Sequence, residues 1–337
     1  KNEEFLKYIL WLKTIFSIVL LLIFFPASGF LSQLINYPHL EMIYWAIIGS
    51  IFIEIYSYSY LVLSSRHQFL QLSLLGILQA LIKLISFGVI IWFFSSNLLS
   101  ITAFYYLAPA VAVLIISFFL KEKIFYKPKI ASYKIRAEMN KFWFHSGVGV
   151  AMMTLIGNLD ILLIQRFLNS FETGVYAGAA RIAAFMATLS GSIGIVLISR
   201  VSRYKNRADI IKYLKKSSIL VLAAIVGFVL YLPFSSLLIK YTIGPEYLSG
   251  NLATIFLVGN SFLGLILVPL TAVFYTLNKP SYFSINGFIQ VACILIGTLL
   301  FIGQYGIMAA AISRIAATIL SIGYSLLSVY LVLKKDK

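Results

Sequence analysis

Apolar residues in this chain come in runs of about twenty, separated by short polar segments. Ten runs are long enough to cross a bilayer as helices: 9–31, 42–63, 70–94, 102–120, 143–165, 175–199, 217–238, 251–276, 282–302 and 307–333. The strands of a membrane barrel would be shorter and would alternate apolar with polar positions. The pattern predicts an all-α polytopic membrane protein with about ten transmembrane helices.

Composition agrees with the pattern. Hydrophobic residues make up 61% of the chain and charged residues 11%, against about 25% charged in soluble domains, and mean hydropathy is +0.96. The net charge of +16 matters through where the basic residues fall. Of the 27 basic residues, 21 lie in one set of alternate loops, including the stretches Lys121–Lys141 and Arg200–Lys216, while the opposite loops hold only Arg166 and Lys240. Lys and Arg concentrate in cytoplasmic loops, so both ends of the chain are expected inside, and the excess marks topology rather than a nucleic-acid partner.

The longest basic stretch also divides the chain. Residues 1–120 are expected to form an N-terminal lobe of four spans, 121–142 a basic cytoplasmic linker, and 143–337 a C-terminal lobe of six. The linker suits either a helix lying on anionic lipid or retention charge alone. Starting at Lys1 without an initiator Met, the chain reads as a piece of something longer.

Cys293 has no partner for an intrachain disulfide and reads as a small core residue. His39, His67 and His145 are scattered in loops or at a span end. The chain has no Gly-rich phosphate loop ending in Lys-Ser/Thr, no His-Glu-x-x-His and no nucleophile elbow. These residues point away from an enzyme, and no cofactor is expected.

Charges inside the spans carry the functional signal, because each costs at least ~2.5–3.5 kcal/mol in the bilayer and usually faces protein or a watery cavity. Lys83, Arg181 and Arg314 face Glu54 and Asp160 in this set, with Lys13 left aside near a span end. Arg314 shares its helix face with Ala310, Ala311, Ala317, Thr318 and Ser321, and Arg181 with Ala177, Gly178, Ala184 and Thr188. Such faces suit tight packing or a hydrated wall. Asp160 and Arg181 lie almost equidistant from Phe171, in the polar turn Asn169–Gly174, and so are expected at one depth. Glu54 and Lys83 pair similarly across the loop at Arg66. Each pair is either a neutral buttress or part of a substrate site. Arg314 has no obvious carboxylate on a neighbouring span, which makes it the first candidate for a ligand-facing cation. The surplus of cations favours an anionic substrate, such as a phosphate that Arg grips through two bonds.

The stretch Asn158-Leu-Asp160, followed by an apolar run to Arg166, the turn, and Gly174-Val-Tyr176, resembles the opening helix pair of a lobe in Wzx-type polysaccharide flippases. These belong to the MOP exporter superfamily, which includes the MATE-like transporters. The resemblance implies a two-lobed bundle of usually six helices per lobe, so that this chain would lack the first two. It implies a flippase that moves an undecaprenyl-diphosphate-linked oligosaccharide across the bacterial cytoplasmic membrane by alternating access. Arg181, Arg314 and Lys83 would hold the diphosphate or acidic sugars in a central cavity, and Asp160 and Glu54 would sense a coupling proton or sodium ion. Membrane lipid, a polysaccharide polymerase and glycosyltransferases of the same pathway are the implied partners, and a monomer the implied functional state.

Two other readings remain. A MATE-like drug or cation antiporter would prefer carboxylates and aromatics over surplus cations. A membrane glycosyltransferase or polysaccharide polymerase would need a base or metal-binding carboxylate in a sizeable outer loop, where this chain offers only Glu41, Glu172 and Glu246. A scaffold would leave the central Arg314 unexplained.

Overall fold

The computed structural model describes residues 2–93, 98–120, 126–130, 133–201, 207–276 and 281–335, and among these the regular structure is helical throughout. The chain divides into two compact units, Lys1–Asn140 and Lys141–Lys337. Nine helical segments among the described residues are long and apolar enough to cross a membrane. Large side chains such as Trp92, Phe118 and Leu22 stay more than two-thirds exposed, as a lipid-facing surface requires.

The first unit contains α1 (Asn2–Phe24), the short α2 (Ser28–Leu34), α3 (Leu40–Ser65), α4 (Phe69–Phe93) and α5 (Leu98–Leu120). The expected first span, 9–31, is displaced. Pro26 cannot continue a helix, so α1 stops at Phe24 and reaches back to Asn2. Lys13 thereby moves from a span end to the middle of a helix. Leu63, Leu75, Ala112 and Val113 form the core where α3, α4 and α5 meet. Gly49 lets the Tyr106 ring lie against the α3 backbone, since a Cβ there would fall 2.3 Å from the ring.

The expected linker 121–142 lies partly outside the described residues. Residues 126–130 have no regular secondary structure, and the Lys129 N–H donates to the Lys7 carbonyl at 3.3 Å. From Tyr133 the chain is already α6 (Tyr133–Phe167), one continuous helix that includes the expected span 143–165. The rest of the second unit is α7 (Ser170–Val201), α8 (Arg207–Ser217), α9 (Ile219–Tyr231), α10 (Ser235–Thr242), α11 (Asn251–Thr276), α12 (Ser281–Tyr305) and α13 (Ile307–Lys335). The expected span 175–199 lies within α7, which is not among the nine segments; several side chains in its C-terminal third fall outside the described residues. The single expected span 217–238 is an articulated rod, α8 through α10, with a 3₁₀ turn at Leu232–Phe234 where Pro233 interrupts the ladder.

In this unit α11 packs against α7, α13 and α9. Ser261 on α11 donates to the Ala183 carbonyl at 3.0 Å, and Ser190 on α7 to the Ser261 carbonyl at 3.3 Å. The α12–α13 hairpin turns at Gly306, whose φ of 55° is left-handed and whose N–H caps the Ile302 carbonyl at 2.9 Å.

Candidate functional site

The polar segment read as a loop, Asn169–Gly174, is mostly the first turn of α7. The Asn169 side chain accepts the Glu172 N–H at 2.8 Å, an N-cap bond to the third helical residue that sets the helix start at Ser170. The hairpin therefore bends near Leu168 and Asn169, two to three residues earlier than expected. That shift changes which residue of α7 lies opposite Asp160.

The residue is Tyr176. Its hydroxyl donates to Asp160 Oδ2 at 2.5 Å. Asp160 Oδ1 accepts the Ile161 N–H at 3.0 Å and an Nη2–H of Arg314 at 3.4 Å. Arg314 Nε stands 3.1 Å from Oδ2, within ion-pair range although its N–H is not aligned for a hydrogen bond. The same guanidinium donates to the Ile156 carbonyl, one turn before Asp160 on α6. Asp160 and Tyr176 have no exposed surface, and the Arg314 side chain is 15% exposed. Three helices, α6, α7 and α13, are joined here by one carboxylate.

Arg314 thus has a carboxylate partner, contrary to the sequence expectation, and Asp160 pairs with Arg314 rather than Arg181. The face of α13 around Arg314 is a packing surface: Ala310, Ala311, Ala317 and Ser321 are fully buried. A Cβ at Gly297 of α12 would fall 2.5 Å from Ser313 Oγ, and Gln290 donates to Ser321 Oγ at 3.2 Å. Small residues on this face let helices approach closely.

Arg181 is exposed and has no hydrogen bond or ion pair among the described residues. Ala184, Thr188, Gly191 and Ser192 continue its exposed stripe along α7. Gly178 on the same face meets Ile243, whose Cδ1 would lie 3.1 Å from an added Cβ.

In the first unit Glu54 pairs with Lys13 of α1 rather than with Lys83. Lys13 Nζ also donates to Ser57 Oγ at 3.0 Å. Lys83 of α4 lies 3.8 Å above the centre of the Tyr105 ring of α5, a cation–π contact. No group of three or more His, Cys, Asp or Glu side chains gathers as a metal site among the described residues.

Lys13, set aside in the sequence, and Tyr176, counted there only in the family resemblance, are the residues to which the sequence reading gave no site role. The signals were present: Pro26 limits α1, and Asn169-x-x-Glu172 is a helix-start pattern. Nothing local announces that Arg314, far along the chain, reaches Asp160.

A family model described as "Polysaccharide biosynthesis protein" matches residues 1–250. The chain belongs to this family. No curated protein matches the chain. Among solved structures, this polysaccharide biosynthesis protein is similar to a lipid II flippase MurJ in an inward closed conformation, with a TM-score of 0.80 at 16% identity over 98% of this chain and 74% of that one. It is also similar to an outward-facing multidrug resistance MATE family transporter of the MOP superfamily, with a TM-score of 0.62 at 15% identity over 99% of this chain and 80% of that one. The fold of this multi-pass membrane protein is thus the one that the resemblance at residues 158–176 implied.

Proposed function

We propose that the protein is a flippase that carries a lipid-linked, anionic oligosaccharide across the cytoplasmic membrane, with both chain ends on the cytoplasmic side. The observation that carries this reading is membership of a polysaccharide biosynthesis family on a fold shared with a lipid II flippase. A lipid-linked sugar leaves its polyprenyl tail in hydrocarbon and needs help only for the charged head, so the groups that matter are cations held inside the membrane.

Arg181 fits this role best, being exposed on a stripe of small and polar residues and free of any ion pair among the described residues. Within the first unit, taken by itself, Lys83 on the Tyr105 ring is a cation of the same kind. Arg314 and Asp160 are assigned a structural role as the clamp of α6, α7 and α13. Transport needs no enzymatic cofactor in this reading and draws on a proton or sodium gradient.

The test is transport of a fluorescent polyprenyl-diphosphate-linked oligosaccharide in proteoliposomes holding the full-length protein. Accelerated movement between leaflets, lost in Arg181→Ala, is the expected result. Equal rates in protein-containing and protein-free vesicles would overturn the reading.

A further inference from the structure

The charged pair in the first unit differs from the clamp in the second. Lys13 lies at the centre of α1 (Asn2–Phe24), and Glu54 lies close to the centre of α3 (Leu40–Ser65). Both helices are long and apolar enough to span, so the pair falls near mid-membrane. Its side chains are nevertheless 25% and 32% exposed, whereas Asp160 has no exposed surface. A pair that serves only to join helices gains from being sealed, with every lone pair used. Asp160 meets that condition. At Glu54 only Oε2 accepts from Lys13, and Oε1 has no partner among the described residues. Lys13 uses two of its three protons, on Glu54 and on Ser57.

We infer that Lys13 is an anion-binding group of the first unit, and that Glu54 holds it as a built-in competitor which a phosphate-bearing head displaces. This rests on the flippase reading and deepens it by naming a phosphate contact. The ammonium is a compact charge with three rotatable donors, suited to a phosphate approached from its open side. A diphosphate carries more negative charge than the single carboxylate it replaces, so the exchange is favoured at the ammonium. The displaced Glu54 is then uncompensated in the membrane, which opposes the exchange. The balance makes a site that binds weakly and releases, as a carrier must. Ser57, on the Glu54 face of α3, accepts from Lys13 through Oγ and has its own hydroxyl proton to offer either anion.

The experiment measures binding of geranyl diphosphate, with geraniol as the control for the tail, to the purified full-length protein and its variants, alongside polysaccharide export in cells. The expected result is binding of the diphosphate but not the alcohol, at least tenfold tighter in Glu54→Gln, kept in Lys13→Arg and lost in Lys13→Gln. The double variant Lys13→Gln/Glu54→Gln has no net charge change and guards against a folding artefact. It should melt near the wild-type temperature yet fail to bind or export. Wild-type binding by the double variant, or no gain in Glu54→Gln, would overturn the inference while leaving the flippase reading intact. If the wild type neither exported nor bound the diphosphate, the flippase reading would fail and this inference with it.

Discussion

A carboxylate with no exposed surface inside a membrane helix is tolerable only when its oxygens are satisfied. Asp160 has Tyr176, Arg314 and the Ile161 N–H to do so. Breaking a buried pair leaves an unpaired charge at a cost of about 3–5 kcal/mol, whereas replacing both members with apolar groups is often close to neutral. Asp160→Leu or Arg314→Met alone should therefore lower the melting temperature of the purified protein sharply, and the double variant should recover most of the loss. Tyr176→Phe removes one hydrogen bond to a charged group and should cost about 1.5–3 kcal/mol by the same measurement. Arg181→Ala touches none of these contacts. Its melting temperature should match the wild type, since exposed substitutions usually stay within ~0.5 kcal/mol, while transport falls.

Helix ends decide which charges meet. The Asn169 cap starts α7 at Ser170 and so brings Tyr176, not Arg181, opposite Asp160. Asn169→Ala should cost about 1 kcal/mol, read as a lower melting temperature. The α12–α13 hairpin depends on close approach at Gly297, where Ser313 Oγ leaves no room for a Cβ. Gly297→Val should destabilise by about 1–3 kcal/mol through overpacking; the same change at Gly303, where an added Cβ meets nothing within 4 Å, is the control. Periodicity made the elements legible, because an apolar run of membrane length has few alternatives to a helix. The bounds of α11 match the expected 251–276, and α12 and α13 differ from expectation by three residues or fewer at either end. Errors arose where one residue acts as punctuation. Pro26 shifts the first span by seven positions and Asn169 shifts the hairpin bend by two to three, and these shifts sufficed to change ion-pair partners.

At the scale of the whole molecule, the alternation of Lys and Arg between loops predicts an orientation that labelling can check. With Cys293 replaced by Ala, a cysteine at Arg66 should react with a membrane-impermeant maleimide only after cell lysis, and one at Lys240 should react in intact cells. The reverse result would invert the protein. Helical class and superfamily resemblance were determined by sequence alone, because a bilayer restricts what an apolar run can become; the loop charges supply the orientation as the expectation that labelling tests. The pairings were decided only by tertiary structure. Asp160 and Arg314 lie 154 residues apart in the chain, and no local pattern encodes a contact formed when Arg314 of α13 reaches α6. That contact removes Arg314 from the free cations, while the shift of α1 adds Lys13 to the charges at mid-membrane.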